Sequence, residues 1–509
     1  MSRNLLRLLP LALPFTLYAL ASCSGDDTSG TGSDAGGSDA KPDQSVANDS
    51  GGGSDAARDA GTGGDADAGA AQGLAKLNHI VVIYMENHSF DNLYGEFAGA
   101  EGLAQLDAGA PNVQQVDQNG APYATLPPPG GGPDGGPFPG FPTTLPNAPF
   151  PIEDYVGEDA ATPDLHHLFY TEQFQIADGG MNRFALWSDA KGLAMGHYHT
   201  NNLPVATLAK SFTVCDHFFH SAFGGSFLNH MWLIAAQTPQ WPSPPDAGLY
   251  NNPDAMVFGQ GEKPLTSDNF IVNTAFSVNS PRPPFNVAAY VPNLTFDTIG
   301  DRLTAKGVSW GWYSGGWNDA VSMANDAGVP EGGVAPSVEK FQYHHQPFIY
   351  FANYADGTPG RAQHLKDQKD FLAAAAAGTL PAVSFVKPVG IDNEHPGYTD
   401  VLSGDTRLLA LIQAIQASPN YADTAIIITY DEHGGFWDHV PPPSVDRWGP
   451  GARVPAIVIS KYAKKGFVDH TVYDTTSILA TIEKRFGIAP LSTRDANAKD
   501  MSAAFDFTQ

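Results

Sequence analysis

Four residues able to hold a metal ion follow two apolar segments of the sequence. Glu86 and Asn87 follow the run NHIVVIYM, and Asp431 and Glu432 follow the run AIIITY. Apolar runs of this length, rich in β-branched residues, are typical of buried strands. Ligands of open α/β sheets bind at the carboxyl ends of the strands, so we expect the two polar pairs to meet at one edge of one sheet.

Such an edge would carry three carboxylates and one amide. Buried carboxylates are costly unless a positive charge or protons balance them. A hard divalent cation prefers oxygen ligands of this kind, and the pattern therefore predicts a metal site. A local explanation is also open from the sequence. Asn87 or Ser89 could cap a helix, and the pair Asp431-Glu432 could cap another helix or bind an arginine.

Ser226, in the segment AFGGSFLNH, is the candidate nucleophile. The two glycines before it allow the backbone to approach a ligand closely. A serine hydroxyl is a weak nucleophile until a base or a metal lowers its pKa, so this role depends on the predicted metal site. The segment is not the Gly-x-Ser-x-Gly pattern of hydrolases with a Ser-His-Asp triad. Locally, Ser226 could instead cap the helix that follows it.

The chain has 16 histidines, and several of them lie beside turn residues. These are His166, His167, His344, His345, His395, His433 and His439. Near carboxylates, such histidines suit phosphate binding and proton transfer. Taken one at a time, each is more often a structural residue.

The N-terminal part differs in composition from the rest of the 509 residues. Residues 1–23 have two arginines, an apolar stretch and the sequence LASC, which is the pattern of a bacterial lipoprotein signal peptide. Residues 24–75 are rich in Gly, Ser and Asp and have too little apolar bulk to fold, so they predict a disordered tether. We therefore expect an exported protein, anchored through lipid on Cys23 to the periplasmic face or the surface of a bacterial membrane. The formal net charge of -27 argues against nucleic-acid binding.

Residues 76–509 are predicted to form one catalytic domain of the α/β class. Its strand candidates are 308–313, 382–386, 424–429 and 454–459, and its helix candidates are 295–306, 363–376, 405–416 and 473–486. This alternation indicates a mostly parallel central sheet flanked by helices. The Pro/Gly-rich residues 105–155 predict a long loop insertion, because so much proline excludes a central strand or a helix interior.

Eight blocks of the chain, in order, resemble the bacterial phosphoesterase family that contains acid phosphatases and non-haemolytic phospholipases C. The blocks are MENHSFDNLYG, TPDLHHLFY, MGHYHTNNLP, AFGGSFLNHMW, TLPAVSFVKP, DEHGGFWDHVPPP, RVPAIVIS and VDHTVYDTTSILATIEKRFG. This family belongs to the alkaline phosphatase-like superfamily, so the resemblance implies an alkaline phosphatase-like α/β fold. The signal peptide and the tether lie outside it.

The resemblance also implies the roles of individual residues. It implies one divalent metal ion of unknown identity, with Glu86, Asn87, Asp431, Glu432 and Ser226 as its ligands. Ser226 corresponds to the nucleophile, which would form a phosphoserine. His167, His345 and His395 correspond to histidines that contact the phosphate or donate a proton to the leaving group.

The expected function is a metal-dependent phosphoric-ester hydrolase, an acid phosphatase acting on phosphomonoesters through a phosphoserine intermediate. The segment FGGSFLNH is more similar to the acid phosphatase branch, because the phospholipase branch resembles Gly-Pro-Thr-x-x-Asn-Arg and His230 replaces that arginine. One alternative is a phospholipase C that hydrolyses phospholipid head groups. Another is a non-catalytic surface lipoprotein, which the intact Glu86, Ser226, Asp431 and Glu432 disfavour. The expected partner is a phosphate-ester substrate, and the oligomeric state stays open.

Overall fold

The two apolar runs that precede Glu86 and Asp431 form neighbouring strands at the centre of an eight-stranded sheet. In chain order the strands are β1 His79–Met85, β2 Thr213–Cys215, β3 Trp310–Ser314, β4 Leu365–Asp367, β5 Val383–Lys387, β6 Thr424–Tyr430, β7 Ala456–Ser460 and β8 Phe467–Asp469. Their order across the sheet is β8-β2-β7-β6-β1-β5-β3-β4. Only β7 runs antiparallel to its neighbours in this sheet.

The computed structural model describes residues 69, 72–132, 136–253, 256, 262–283, 289–324 and 340–509. The predicted signal peptide (residues 1–23) and nearly all of the predicted tether (residues 24–75) lie outside these residues. The predicted boundary of the tether is slightly wrong, because Leu74 is already buried in the hydrophobic core. Within the described part of the chain, no helix combines the length and the apolar character that crossing a membrane requires.

Helices connect and flank the strands of the sheet. In chain order they are α1 Phe90–Tyr94, α2 Phe169–Ile176, α3 Phe184–Trp187, α4 Pro204–Ala209, α5 Ser226–Ala235, α6 Ile299–Lys306, α7 Trp317–Ala324, α8 Pro359–His364, α9 Gln368–Ala377, α10 Val401–Gln416, α11 Thr475–Phe486 and α12 Thr493–Asn497. Several begin at a side chain that accepts a backbone N–H, as Thr298, Asp400 and Asp474 do for α6, α10 and α11. Two pairs of short parallel strands lie outside the large sheet, Phe150–Pro151 with Gly196–His197 and Phe218–Phe219 with Tyr473–Asp474.

The prediction of an α/β fold with a mostly parallel sheet flanked by helices is confirmed. All five long strands occur within two or three residues of their predicted positions. The single helix predicted for residues 363–376 is wrong, because α8 ends at His364, β4 follows, and α9 begins at Gln368. Asp367 causes this break: its side chain accepts the Lys369 N–H, and the Asp370 side chain accepts the Asp367 N–H, which forms a capping box.

The long loop predicted for residues 105–155 is largely irregular in the structure. In the described parts of this segment, residues 105–132 and 136–155, the regular elements are two short 3-10 turns, Leu103–Gln105 and Ile152–Asp154, and the two-residue strand Phe150–Pro151. None of its described residues therefore belongs to the large sheet.

Candidate active site

The acidic pairs meet because β1 and β6 are parallel neighbours. Met85 is opposite Tyr430 in the register, so Glu86 and Asp431 leave the sheet side by side. The Asn87 backbone N–H donates to Asp431 Oδ1 at 3.3 Å, and Asn87 has a left-handed φ of 60°, which asparagine tolerates better than most residues. The structure thus brings Glu86, Asn87, Asp431 and Glu432 together, and all four are fully buried; we call them the edge residues.

Ser226 is the first residue of α5, and its hydroxyl faces the edge residues. Its Oγ lies 3.2 Å from Glu86 Oε2 and 3.5 Å from Asn87 Oδ1, and the residue is 4% exposed. The N-cap of α5 is Gly225, so Ser226 does not cap this helix. In the first polar segment the local explanation applies to Ser89 instead, because Ser89 Oγ caps α1 by accepting the Asn92 N–H.

His167 and His395 lie on the other side of Asn87. Their Nε2 atoms lie 3.3 and 2.9 Å from Asn87 Nδ2. Nδ1 of His395 lies 2.7 Å from the Pro396 carbonyl, and Nδ1 of His167 contacts the Leu165 carbonyl in the same way. A carbonyl only accepts, so each Nδ1 carries a proton, and each Nε2 faces the Asn87 amide as an acceptor that can take up a proton.

His345 and two further residues, His230 and Lys387, complete the site behind Glu86. His345 Nε2 lies 3.3 Å from Glu86 Oε1, and the His230 ring stacks on the His345 ring at 4.9 Å. His230 Nδ1 donates to the Ser226 carbonyl at 2.7 Å. Lys387, at the end of β5, contacts Glu86 Oε1 with its Nζ and is 1% exposed.

Sequence reasoning missed Lys387 altogether and treated His230 only as a replacement for an arginine. Lys387 ends an apolar strand, but only the pairing of β5 with β1 places it near Glu86. Among the described residues, Glu86, His230 and Asp431 offer ligand atoms within 4.8 Å of one another, which makes His230 a candidate ligand as well.

Burial favours the uncharged form of almost every group here. Burial and the neighbouring Asp431 raise the pKa of Glu86 and of Glu432 well above the usual range. Burial also lowers the pKa values of His345 and His395. The groups therefore lack a sufficient counter-charge among themselves.

The edge residues fit a divalent cation. No described residue donates a hydrogen bond to Asp431 Oδ2 or Glu432 Oε1, although both atoms are buried. Such orphaned carboxylate oxygens are costly unless an ion or a proton occupies the space before them. When ionised, the three carboxylates of Glu86, Asp431 and Glu432 carry three negative charges, and Lys387 offsets one of them. One divalent cation balances the two that remain. Oxygen ligands of this type suit a hard cation.

The remaining sequence candidates lie apart from the edge residues or contact other groups. His439 donates to Asp91 Oδ2 from its backbone N–H at 2.7 Å and from Nδ1 at 2.6 Å. His166 pairs with Asp189 at 3.5 Å, and His433 faces Glu172. His344 packs beside His345 with ring centroids 4.5 Å apart.

The sequence profile of the phosphoesterase family matches residues 77–489, so the chain belongs to the phosphoesterase family. It is 27% identical over 479 residues to phospholipase C A of Mycobacterium tuberculosis, covering 86% of this chain and 79% of the relative. It is 24% identical over 478 residues to non-hemolytic phospholipase C of Pseudomonas aeruginosa, covering 85% of this chain and 58% of the relative.

A solved structure of a protein in the alkaline phosphatase superfamily from Vibrio parahaemolyticus is similar at 11% identity and a TM-score of 0.31, over 61% of this chain and 65% of that one. The family match confirms the resemblance found in the sequence, and the chain is a hydrolase that acts on phosphoric ester bonds.

Proposed function

We propose that the chain is a metal-dependent phosphatase that hydrolyses water-soluble phosphomonoesters with Ser226 as its nucleophile. One observation carries this proposal: the Ser226 hydroxyl does not cap its helix but points at Glu86 and Asn87, 3.2 and 3.5 Å away. A serine held at a group of buried oxygen ligands suits attack on phosphorus better than any structural role does.

The chain supplies the groups that such a reaction needs. A divalent cation held by the edge residues would act as a Lewis acid on a phosphoryl oxygen and lower the pKa of the Ser226 hydroxyl. The Ser226 hydroxyl passes its proton to Glu86 Oε2, which accepts its hydrogen bond, and Oγ attacks phosphorus as the bond to the leaving alcohol breaks. The alcohol oxygen takes a proton from the imidazolium form of His395 or His167, in which Nε2 carries a proton in addition to the one on Nδ1. The N-terminus of α5 directs its dipole at the phosphoserine so formed, which water then hydrolyses to inorganic phosphate.

The rim beside the two histidines is polar, which supports a water-soluble substrate. Asp164 Oδ1 lies 3.7 Å from His167 Nδ1, and the Asp164 side chain is 46% exposed. The Tyr398 ring stacks on His395 at 3.8 Å, and the ammonium of Lys340 lies 5.0 Å from the centre of that ring. A phospholipid would have to place its acyl chains against these charged and aromatic groups for its phosphate to reach the site.

Phospholipase C activity is the second candidate, because the two relatives named above are phospholipases C. His230 stands where the resemblance places an arginine in that branch, and its ring lies inside the site against His345. This replacement supports a preference other than that of the relatives.

A substrate panel tests the proposal. Metal-stripped and metal-restored enzyme would be assayed across pH with an aryl phosphomonoester, a bis-aryl phosphodiester and phosphatidylcholine vesicles. We expect the monoester to have a kcat/KM about 100-fold above the others, and only after metal is restored. A higher kcat/KM for phosphatidylcholine would establish the second candidate, and full activity without metal would contradict both.

A further inference from the structure

A fully buried cluster of Glu172, His220 and His433 lies beside the site and has no part in the proposed reaction. Glu172 belongs to α2, His220 precedes the loop that ends at Ser226, and His433 directly follows Glu432. Glu172 Oε1 lies 2.8 Å from His220 Nε2 and 3.6 Å from His433 Nε2. Three separate chain segments therefore meet at one carboxylate.

The Glu172 carboxylate also holds the backbone in front of the nucleophile. Its Oε2 accepts the Gly224 N–H at 2.5 Å, and its Oε1 accepts the Ala452 N–H at 2.9 Å. Gly224 has a φ of +86°, and a Cβ there would lie only 2.5 Å from the Phe169 backbone nitrogen. Two consecutive glycines give this loop no stiffness of its own, so its position depends on an external hydrogen-bond partner.

Hydrogen bonds to backbone carbonyls orient both imidazoles. His220 Nδ1 lies 2.8 Å from the Ala222 carbonyl, and His433 Nδ1 lies 3.1 Å from the Phe436 carbonyl. Each Nδ1 must carry a proton to donate to its carbonyl, and this hydrogen bond holds the ring with Nε2 toward Glu172. Burial acts to raise the pKa of Glu172, but His220 and His433 outweigh it and lower that pKa to about 2. The Glu172 carboxylate is thus the group toward which both buried rings are directed.

We infer that Glu172 is a positioning residue, which fixes the Ser226 loop through Gly224 and joins it through His433 to the segment that carries Glu432. The inference rests on the proposed function, because it takes Ser226 as the nucleophile. Since Glu172 reaches both halves of the site, a small shift of its carboxylate would move the Ser226 hydroxyl relative to the edge residues. Misplacement of a reacting group by about 1 Å can cost on the order of 100-fold in rate.

The test compares Glu172→Gln with Glu262→Gln in the full chain. Gln has the shape of Glu, but it is uncharged and has one acceptor oxygen, so it cannot accept both the Gly224 and the Ala452 N–H groups as the carboxylate does. We expect kcat to fall about 10- to 100-fold, KM to stay within about threefold, and metal content to stay that of wild type. Glu262 is the matched control, because it accepts the Tyr170 and Thr171 N–H groups at 3.0 and 2.6 Å on the same helix but is not hydrogen-bonded to Gly224. Its variant should keep the wild-type kcat.

Several results would overturn the inference. One is a wild-type kcat in folded Glu172→Gln, and another is an equal loss of kcat in Glu262→Gln. A third is the loss of a bound metal ion from Glu172→Gln, measured by elemental analysis, because the cluster would then be a metal site. If Glu172→Gln does not fold, Glu172→Asp replaces it, with the same expected loss of kcat and the same contradicting result. A Ser226→Ala arm keeps the two claims separate, because turnover in that variant refutes the proposed function whatever Glu172 does.

Discussion

Lys387 and the three carboxylates of the edge residues set the charge of the site. The carboxylates could be predicted from the sequence, because each follows the end of an apolar strand. Lys387 and His230 could not be placed there in the same way, because their proximity to Glu86 depends on β5 lying beside β1 and on the angle at which α5 approaches the sheet. Side chains brought together by packing leave no local pattern in the chain.

Replacing Asp431 with Ala removes the carboxylate that both contacts Asn87 and carries an orphaned oxygen. We expect the variant to lose its bound metal and at least about 1,000-fold in kcat, because Lewis-acid stabilisation of the phosphoryl group is lost. Elemental analysis together with kcat measures this. Asp405→Asn is the control, since Asp405 is buried on α10 and accepts only the Val205 N–H among the described hydrogen bonds. Unchanged metal content in Asp431→Ala would refute its role as a ligand.

At the scale of elements, the long apolar strands were predictable and the three-residue strands were not. β1 and β6 are buried along nearly their whole length, so an unbroken apolar run marks them. β2, β4 and β8 have three residues each, which is too short for a periodic pattern. The capping box at Asp367 shows how local hydrogen bonds can divide a segment that hydrophobic spacing alone reads as one helix.

Helix α11 carries a carboxyl group whose titration should be visible in the stability of the fold. Burial and a hydrogen bond that the protonated Glu483 carboxyl donates to the neighbouring Asp495 carboxylate raise the pKa of Glu483 to about 9. The folded state therefore holds a proton that the unfolded state releases above its ordinary pKa. Stability from this proton is present below pH 4.5 and is lost as the pH rises toward 9.

Glu483→Gln should remove that dependence. We expect the melting temperature of the variant, relative to wild type, to be higher at pH 8 than at pH 5. Thermal unfolding followed by circular dichroism at both pH values measures the difference. An equal difference in melting temperature between variant and wild type at pH 5 and pH 8 would show that Glu483 does not take up a proton on folding.

At the scale of the whole molecule, the fold class and the family followed from the ordered motifs of residues 76–509. The N-terminal part rests on composition and on a short processing pattern, and it stays a prediction. We propose that Cys23 carries lipid and holds the enzyme at a bacterial membrane, with the residues between Cys23 and the buried Leu74 as the tether.

Cys23→Ala tests the anchor. In a bacterial host, wild-type protein should partition with the membrane fraction and into the detergent phase, and the variant should move to the soluble fraction because it has lost its acyl chains. The kcat for a soluble monoester should stay the same. Detergent partitioning of Cys23→Ala equal to that of wild type would exclude this anchor.

The central claim, that Ser226 forms a phosphoserine in a phosphoesterase site, can be tested by trapping the intermediate. Wild-type enzyme would be mixed with an aryl phosphate, quenched in acid within the first turnover and digested for mass spectrometry. We expect one phosphoryl group on the peptide that contains Ser226, and in Ser226→Ala neither the label nor more than about a thousandth of the wild-type kcat. A phosphoryl group on any other residue, or turnover by Ser226→Ala near the wild-type rate, would contradict the account.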